Sequence, residues 1–341
     1  MIKVGLSTDH PKCSQAEVLS WIQTQNLRLE HGIDLNHGLL MEHHDAWIIQ
    51  QTVLEHTDGA QLAAAARLKK PVIMLERIDG SQITGKARKR INHPNVVAVI
   101  KNTLARPEQI HNETSGRIHM KLGFGWDNGT MARIPETSLI KLVTGYTFAS
   151  YRGVRERNWD WTDGDRRTIR ASFAGTVTYE VPEITNHRSD LVEILKATEG
   201  CWGEAGRPLA KDDYTEWMRR SAAVVSPWGY GESCYRDYEA ILAGAVLIKP
   251  ACAWVHEATG IYRPDAKWAP MVRYCKADWS DLPEHIEAAQ EVSEEDRRQA
   301  KERMVRLTDI NAVACRIADI VKASVESWQA KAPLRKLLSG V

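Results

Sequence analysis

None of the six cysteines in this 341-residue chain stands in a Cys-x-x-Cys pair; Cys13, Cys201, Cys234, Cys252, Cys275 and Cys315 are scattered. That spacing excludes a zinc ribbon and a disulfide scaffold, and it fits a reducing compartment. A surplus of one charge is also missing. Forty-five basic residues nearly cancel 44 acidic ones, for a formal net charge of +1. Bulk electrostatics therefore exclude a strongly basic nucleic-acid binder, though not a local basic patch. No run approaches the roughly 18 apolar residues of a membrane span. The chain opens directly on a strand-like Ile2-Lys-Val-Gly-Leu-Ser7, with no apolar signal segment before it. Internal repeats and low-complexity tracts are absent from the sequence. The expectation is a cytoplasmic protein without a membrane span.

What is present is an alternation of short apolar runs with helical spacing. The length suits two domains, and 43% hydrophobic residues is ample for two cores. In the first half, Ile2–Ser7, Asp45–Gln50, Pro71–Leu75 and Val96–Ile100 read as strands, with helices over Gln15–Gln25 and Gly59–Leu68. Such alternation predicts a parallel sheet covered on both faces. The second half repeats it. Strands are expected at Ile169–Ala174, Ala222–Ser226, Ala245–Lys249 and Met271–Cys275, and helices at Arg188–Ala197, Asp212–Arg219 and Leu282–Ala289. Met304, Leu307, Ile310, Val313, Ile317 and Ile320 give Glu294–Ala330 the stripe of a one-sided helix. The reading is two α/β domains, 1–150 and 169–300, joined by a charged linker at 151–168 and followed by a terminal helical segment, 301–341.

The most informative stretch is Ser226-Pro-Trp-Gly-Tyr-Gly-Glu-Ser-Cys-Tyr-Arg-Asp-Tyr-Glu-Ala-Ile-Leu-Ala-Gly-Ala-Val-Leu-Ile-Lys-Pro250. It predicts a glycine-containing turn after a buried strand, a helix opening near a capping Ser233, and a second buried strand. The unpaired N–H groups at such a helix start favour an anion, and ligands gather where strand carboxyl ends meet turns of this kind. Arg236 and Glu239, three residues apart, share one helix face. A cation for a phosphate beside a carboxylate for two sugar hydroxyls suits a sugar nucleotide. Trp228 and Tyr230, set among glycines, offer a platform for stacking a base.

Ser-Pro-x-Gly, then Tyr-Arg-x-x-Glu-Ala, then an Ala-Gly turn into a strand resembles the donor-binding segment of GT-B glycosyltransferases, in particular their exostosin-like branch. The resemblance extends upstream to Phe173-Ala-Gly-Thr176 and Asn186-His-Arg-Ser-Asp-Leu191, and covers roughly residues 168–255. In that branch a Phe-x-Gly turn is followed by an arginine facing the donor diphosphate, here Arg188. The resemblance implies two Rossmann-like domains facing a cleft and a closing C-terminal helix. It also implies a UDP-linked sugar donor held by Gly175, Thr176, Arg188, Ser226, Trp228, Tyr230, Gly231, Glu232, Ser233, Tyr235, Arg236 and Glu239. The expected activity is hexosyl or pentosyl transfer; a GT-B-like epimerase and a non-catalytic sugar-nucleotide or nucleic-acid binder are the rival readings.

Transfer from a nucleotide donor needs charge stabilisation on the departing diphosphate and, for inversion, a base. Candidate bases follow first-half strands: Asp9 and His10 after the first, Glu76 and Asp79 after the third. Asp160, Asp163 and Asp165 imitate a metal motif but lie in an Arg-rich linker, so they read as a solvated loop paired with Arg166 and Arg167; no essential metal is expected. His43, His44 and His56 read as polar surface. For the acceptor, Lys86, Arg88, Lys89 and Arg90 form one basic feature. Arg152, Arg155, Arg157, Arg166, Arg167 and Arg170 form another, beside Trp159 and Trp161. Together these suggest phosphate contacts and base stacking, which would suit a hydroxymethylated base in DNA, as for some phage enzymes. The near-neutral charge weighs against DNA, and a glycan or a lipid-linked acceptor is the equal alternative.

Overall fold

The longer strands follow the apolar runs of the sequence closely. The computed structural model describes residues 2–7, 27–30, 43–50, 60–75, 90, 93–101, 103–105, 142–144, 154, 157–161, 167–205, 209–229, 231–252, 255–263 and 267–331. In the first half these comprise β1 (Ile2–Ser7), β2 (Leu27–Glu30), β3 (Ala46–Gln50), α1 (Ala60–Arg67), β4 (Val72–Leu75), β5 (Val96–Lys101), β6 (Thr103–Ala105) and β7 (Leu142–Thr144). Six of the strands form one parallel sheet in the order β2-β1-β3-β4-β5-β7. The helix expected over Gln15–Gln25 lies outside the described residues. His44 is buried edge-on against Trp47, which corrects its reading as polar surface, whereas His43 is exposed and His56 is outside the described residues.

The second half contributes β8 (Ile169–Gly175), α2 (Pro182–Ala197), β9 (Trp202–Ala205), α3 (Lys211–Arg219), β10 (Ser221–Val225), α4 (Tyr235–Leu242), β11 (Val246–Pro250), β12 (Val255–Glu257), β13 (Val272–Cys275) and α5 (Leu282–Gln290). A second parallel sheet runs β13-β11-β10-β8-β9. Every residue of β10 and β11 is buried, as expected of strands covered on both faces. The chain is thus built on two Rossmann-like sheets. After β8 it runs out to the β9 edge and returns to β10 on the other side, so the strand order reverses between β8 and β10. That reversal marks where an open α/β sheet leaves a crevice at its carboxyl edge.

Two expectations about helices are corrected. α2 begins at Pro182, six residues before the Arg188 start read from the sequence. Proline at the first helical position has the right φ and lacks only an N–H that would be orphaned there anyway; Arg188 consequently stands within the helix rather than at its mouth. The terminal stripe is two helices, α6 (Glu294–Thr308) and α7 (Ile310–Ala330). Asp309 divides them, its carboxylate accepting from the backbone N–H groups of Asn311 and Ala312 as an N-cap. α7 packs against β5 of the first sheet, and β6 pairs antiparallel with β12, so two separate pieces of structure join the halves. No helix among the described residues is long and apolar enough to cross a membrane.

Candidate functional site

Two arginines converge at the strand-order reversal. Arg188, almost fully buried, donates from Nε to the Trp228 carbonyl and from Nη1 to the Thr176 carbonyl, each at 2.7 Å. Arg236 donates from Nη2 to the Ala174 carbonyl at 2.7 Å. Both guanidiniums lie over the Phe173 ring, at 5.9 and 4.7 Å from its centroid, and Arg188 also lies over Tyr179 at 4.8 Å. Glycines make the room. A Cβ on Gly175 would come within 2.6 Å of Arg236 Nη2, and one on Gly229 within 3.0 Å of Arg188 Nη2. Among the described residues neither guanidinium forms an ion pair with a carboxylate; their acceptors are backbone carbonyls and, for Arg236 Nη1, the Cys234 Sγ at 4.0 Å. Burial, and then the charge of Arg236, pull the Arg188 pKa down to about 10. Burial lowers Arg236 too, but Tyr214, Cys234, Asp237 and Glu239 more than offset it and its pKa rises. It is therefore Arg188, desolvated beside a second cation and held by carbonyls, that gains most by taking an anion.

The start of α4 is fixed by a buried network centred on Asp237. The N-cap is Cys234, not Ser233. Asp237 Oδ2 accepts from Cys234 N at 3.0 Å, which completes a capping box, and Ser233 is buried with its Oγ unbonded among the described residues. Ser226 Oγ and Tyr262 OH each donate to Asp237 at 2.5 Å. Lys249, fully buried at the end of β11, meets it at 3.2 Å. Burial pushes the Lys249 ammonium down, but Asp237 more than offsets this and the pKa rises. The carboxylate thus ties the α4 N-terminus to both central strands.

One turn further along α4, Glu239 is buried with both oxygens engaged. Oε1 accepts from Arg157 Nη1 at 2.6 Å and Oε2 from Tyr214 OH at 2.9 Å. Burial pushes the carboxyl above its ordinary range, and Arg157 is the strongest group drawing it back. The expectation of a carboxylate open to two sugar hydroxyls is therefore revised: it already has two partners, one of them from the connection between the sheets.

Other expected site residues fall as follows. Trp228 is buried, its ring stacked on His187 at 5.7 Å, and His187 is stacked in turn on Trp279 at 4.5 Å. An interior prop is not an open platform, so the base-stacking reading of Trp228 is corrected; Tyr230 lies outside the described residues. Gly231 and Glu232 are buried, Thr176 is exposed, and Tyr235 is exposed on the first turn of α4. Asp9, His10, Glu76, Asp79, Lys86, Arg88 and Lys89 all lie outside the described residues, while Arg90 is half-buried.

The connecting segment is also corrected. Trp159 is buried with Nε1 donating to the Val154 carbonyl, and Trp161 donates to Glu294 beneath Arg167 and Lys301. Arg167 donates to the Arg219, Ser221 and Ala243 carbonyls, and Arg170 pairs with Glu287. Trp159, Trp161 and Arg167 thus turn inward, while Arg170 pairs with Glu287 at the surface, so among the described residues the two tryptophans are not an open stacking surface. Asp160 pairs with Lys301 rather than with a linker arginine; Asp163, Asp165, Arg152, Arg155 and Arg166 lie outside the described residues. Among the described residues no acidic, histidine or cysteine cluster has the makings of a metal site.

Sequence reasoning missed Asp237, Lys249, Tyr262 and Tyr214. A lysine closing an otherwise apolar buried strand was the available signal, since it must find a counter-charge.

No family model and no curated protein matches the chain. Among solved structures, "Crystal structure of GtfA/B complex" aligns with a TM-score of 0.47 at 9% identity, over 85% of this chain and 59% of that one. The UDP-GlcNAc 2-epimerase from Methanocaldococcus jannaschii aligns with a TM-score of 0.36 at 10% identity, over 94% and 99%. The GtfA/B complex bound to UDP and GlcNAc gives 0.34 at 8%, over 80% and 55%. The chain thus spans 59% of the length of the first of these.

Proposed function

We propose that the chain is a glycosyltransferase that takes a hexose or pentose from a nucleotide diphosphate, UDP by the exostosin-like resemblance, to an acceptor hydroxyl. The observation that supports this best is the pair Arg188, buried, and Arg236, half-buried beside it, both held by backbone carbonyls at the strand-order reversal. In this reading the diphosphate lies across the two guanidiniums, with the N-terminus of α4 beside it. Glu239 accepts sugar-nucleotide hydroxyls on the lone pairs that Arg157 and Tyr214 leave.

The acceptor oxygen attacks the anomeric carbon, the bond from that carbon to the phosphate oxygen breaks, and the electron pair leaves with the diphosphate. The guanidiniums stabilise the charge developing there, which is why no metal is assigned to this step. The acceptor proton passes to a first-half group, Asp9 or His10 ahead of Glu76 or Asp79. The acceptor is a glycan or a hydroxymethylated base; the inward-facing Trp159 and Trp161 withdraw the stacking argument that favoured DNA.

Calorimetry with a panel of UDP-, GDP- and dTDP-sugars tests the site, followed by mass spectrometry of glycans and hydroxymethylated duplex DNA incubated with the bound donor. Transfer that survives exhaustive chelation is expected. Conversion of the donor without any acceptor would identify an epimerase instead, and binding without turnover a non-catalytic binder. Absence of binding across the panel would overturn the donor site.

A further inference from the structure

The connection between the two sheets reaches into the proposed donor site, a feature that the site's own elements do not require. Arg157 lies outside both sheets, yet its Nη1 meets Glu239 Oε1 at 2.6 Å, with the carboxylate 5% exposed and the arginine 20% exposed. Its guanidinium lies over the Tyr214 ring at 5.3 Å and the Trp159 ring at 5.6 Å. The segment carrying it is tied down. Trp159 is buried, Lys301 Nζ reaches the Trp159 carbonyl at 2.9 Å and Asp160 Oδ1 at 2.7 Å, and Arg219 donates to the Asp160 carbonyl at 2.8 Å. Arg157 is therefore delivered to Glu239 by a fixed strap.

We propose that Arg157 is a positioning residue for the donor site, holding the Glu239 carboxylate ionised and aimed so that it can accept the hydroxyls of a sugar nucleotide. This rests on the donor reading above. A buried carboxylate needs such a partner, because burial favours its protonated form and a carboxylic acid surrenders one of the acceptor positions that hydroxyls require. The groups that act on Glu239 are Arg157 from the connection, Tyr214 from α3, and Arg236 and Asp237 from α4. Arg157 opposes the burial more than any other of them, and Asp237 acts with the burial. Without Arg157 the carboxylate takes up a proton at a higher pH, so donor binding is lost from the acid side first.

The test is calorimetric titration of the nucleotide sugar bound by the wild-type protein, from about pH 6 to about pH 9, in Arg157→Ala, Arg157→Lys and Glu239→Gln. Arg157→Ala should weaken binding about tenfold near neutrality, with binding recovering as the pH rises. Arg157→Lys should restore most of the affinity, and Glu239→Gln should be weak at every pH without that recovery. Unchanged or tighter binding in Arg157→Ala would overturn the proposal while leaving the donor site standing; tighter binding would make Arg157 a competitor for Glu239. Uniform weakening with no pH dependence would likewise overturn it.

The thermal stability of the same variants and of the Arg157→Ala/Glu239→Gln double variant, across the same pH range, keeps the two readings apart. If the wild-type protein binds no nucleotide sugar, the donor reading fails, and with it this role for Arg157. Within a standing donor reading, a coupling between the two positions that grows as Glu239 ionises supports positioning, and its absence counts against it.

Discussion

Lys249 and Asp237 meet at 3.2 Å with both side chains fully withdrawn from solvent, and the tyrosine hydroxyl of Tyr262 closes on the same carboxylate. Burial lowers the lysine, yet the carboxylate leaves its pKa raised above the ordinary 10.5; burial and then Asp237 raise Tyr262 well above 10.0. A raised folded pKa means stability that is complete below the unfolded value and lost as the pH climbs through the folded one. The protein should therefore lose stability in alkali from about pH 10 upward. Tyr262→Phe should start less stable but show a shallower alkaline decline. Melting temperature against pH for the two proteins checks this, and parallel alkaline limbs would refute it.

Removing one partner of that pair should be far worse than removing both. Asp237→Asn strands a buried ammonium and should cost about 3–5 kcal/mol, with part of the loss recovered in Asp237→Asn/Lys249→Met. Denaturant midpoints of the single and double variants decide it.

His187 should contribute to the loss of stability in acid. Burial first, then Arg188 and Lys249, pull its pKa from 6.5 to about 4. A depressed folded pKa gives stability that is present above the unfolded value and lost as the pH falls toward the folded one. A shift of that size is worth on the order of 3 kcal/mol between the two limits. His187→Phe, which keeps a ring between Trp228 and Trp279, should flatten the stability profile between pH 6.5 and about 4. An unchanged acid limb in that variant would assign the acid sensitivity elsewhere.

Gly175→Ala isolates the anion site from the fold. The new methyl would meet the far end of a flexible side chain, Arg236 Nη2 at 2.6 Å, so the guanidinium must leave its Ala174 carbonyl while the backbone stays. Donor affinity should fall about tenfold or more, as for Arg236→Ala, since one charge-assisted hydrogen bond is worth about 1.5–3 kcal/mol. The melting temperature should move little. Calorimetry and a thermal melt on one preparation give both numbers.

The base is tested by turnover in Asp9→Asn, His10→Ala, Glu76→Gln and Asp79→Asn. Losing a general base costs about 10²–10⁴-fold in rate, with donor affinity almost unchanged because the other sheet makes that contact. A slowing of less than about tenfold in all four would place the base elsewhere or point to retention, and the product anomer separates those outcomes.

Long apolar runs were legible: β10, β11 and four strands of the first sheet, β1, β3, β4 and β5, follow directly from Ala222–Ser226, Ala245–Lys249 and their counterparts. Short strands were not. Leu27–Glu30, Thr103–Ala105, Leu142–Thr144, Trp202–Ala205 and Val255–Glu257 have three or four residues each, too few for a period to show. Arg188 and Arg236 were picked out from motif spacing, yet their neutral acceptors could not be, because a backbone carbonyl carries no sequence signature. The same blindness explains Arg157 and Arg167. A dense run of charge reads as solvated, while here the guanidiniums turn inward, Arg157 to the Glu239 carboxylate and Arg167 to Glu294 and to carbonyls where helices end and β10 begins. The capping box was hidden because a cysteine holds the position where serine or aspartate is the usual sign.

The packing of α7 on β5 sets an order of events during synthesis. Residues 96–101 leave the ribosome more than two hundred residues before 310–330 do, and β6 must likewise await β12. The strands of the first sheet are all made by residue 144, yet the helix that packs on β5 and the strand that pairs with β6 arrive only with the second half. Truncation within α7 therefore strikes at the opposite end of the chain from the cut, exposing apolar surface on the first sheet.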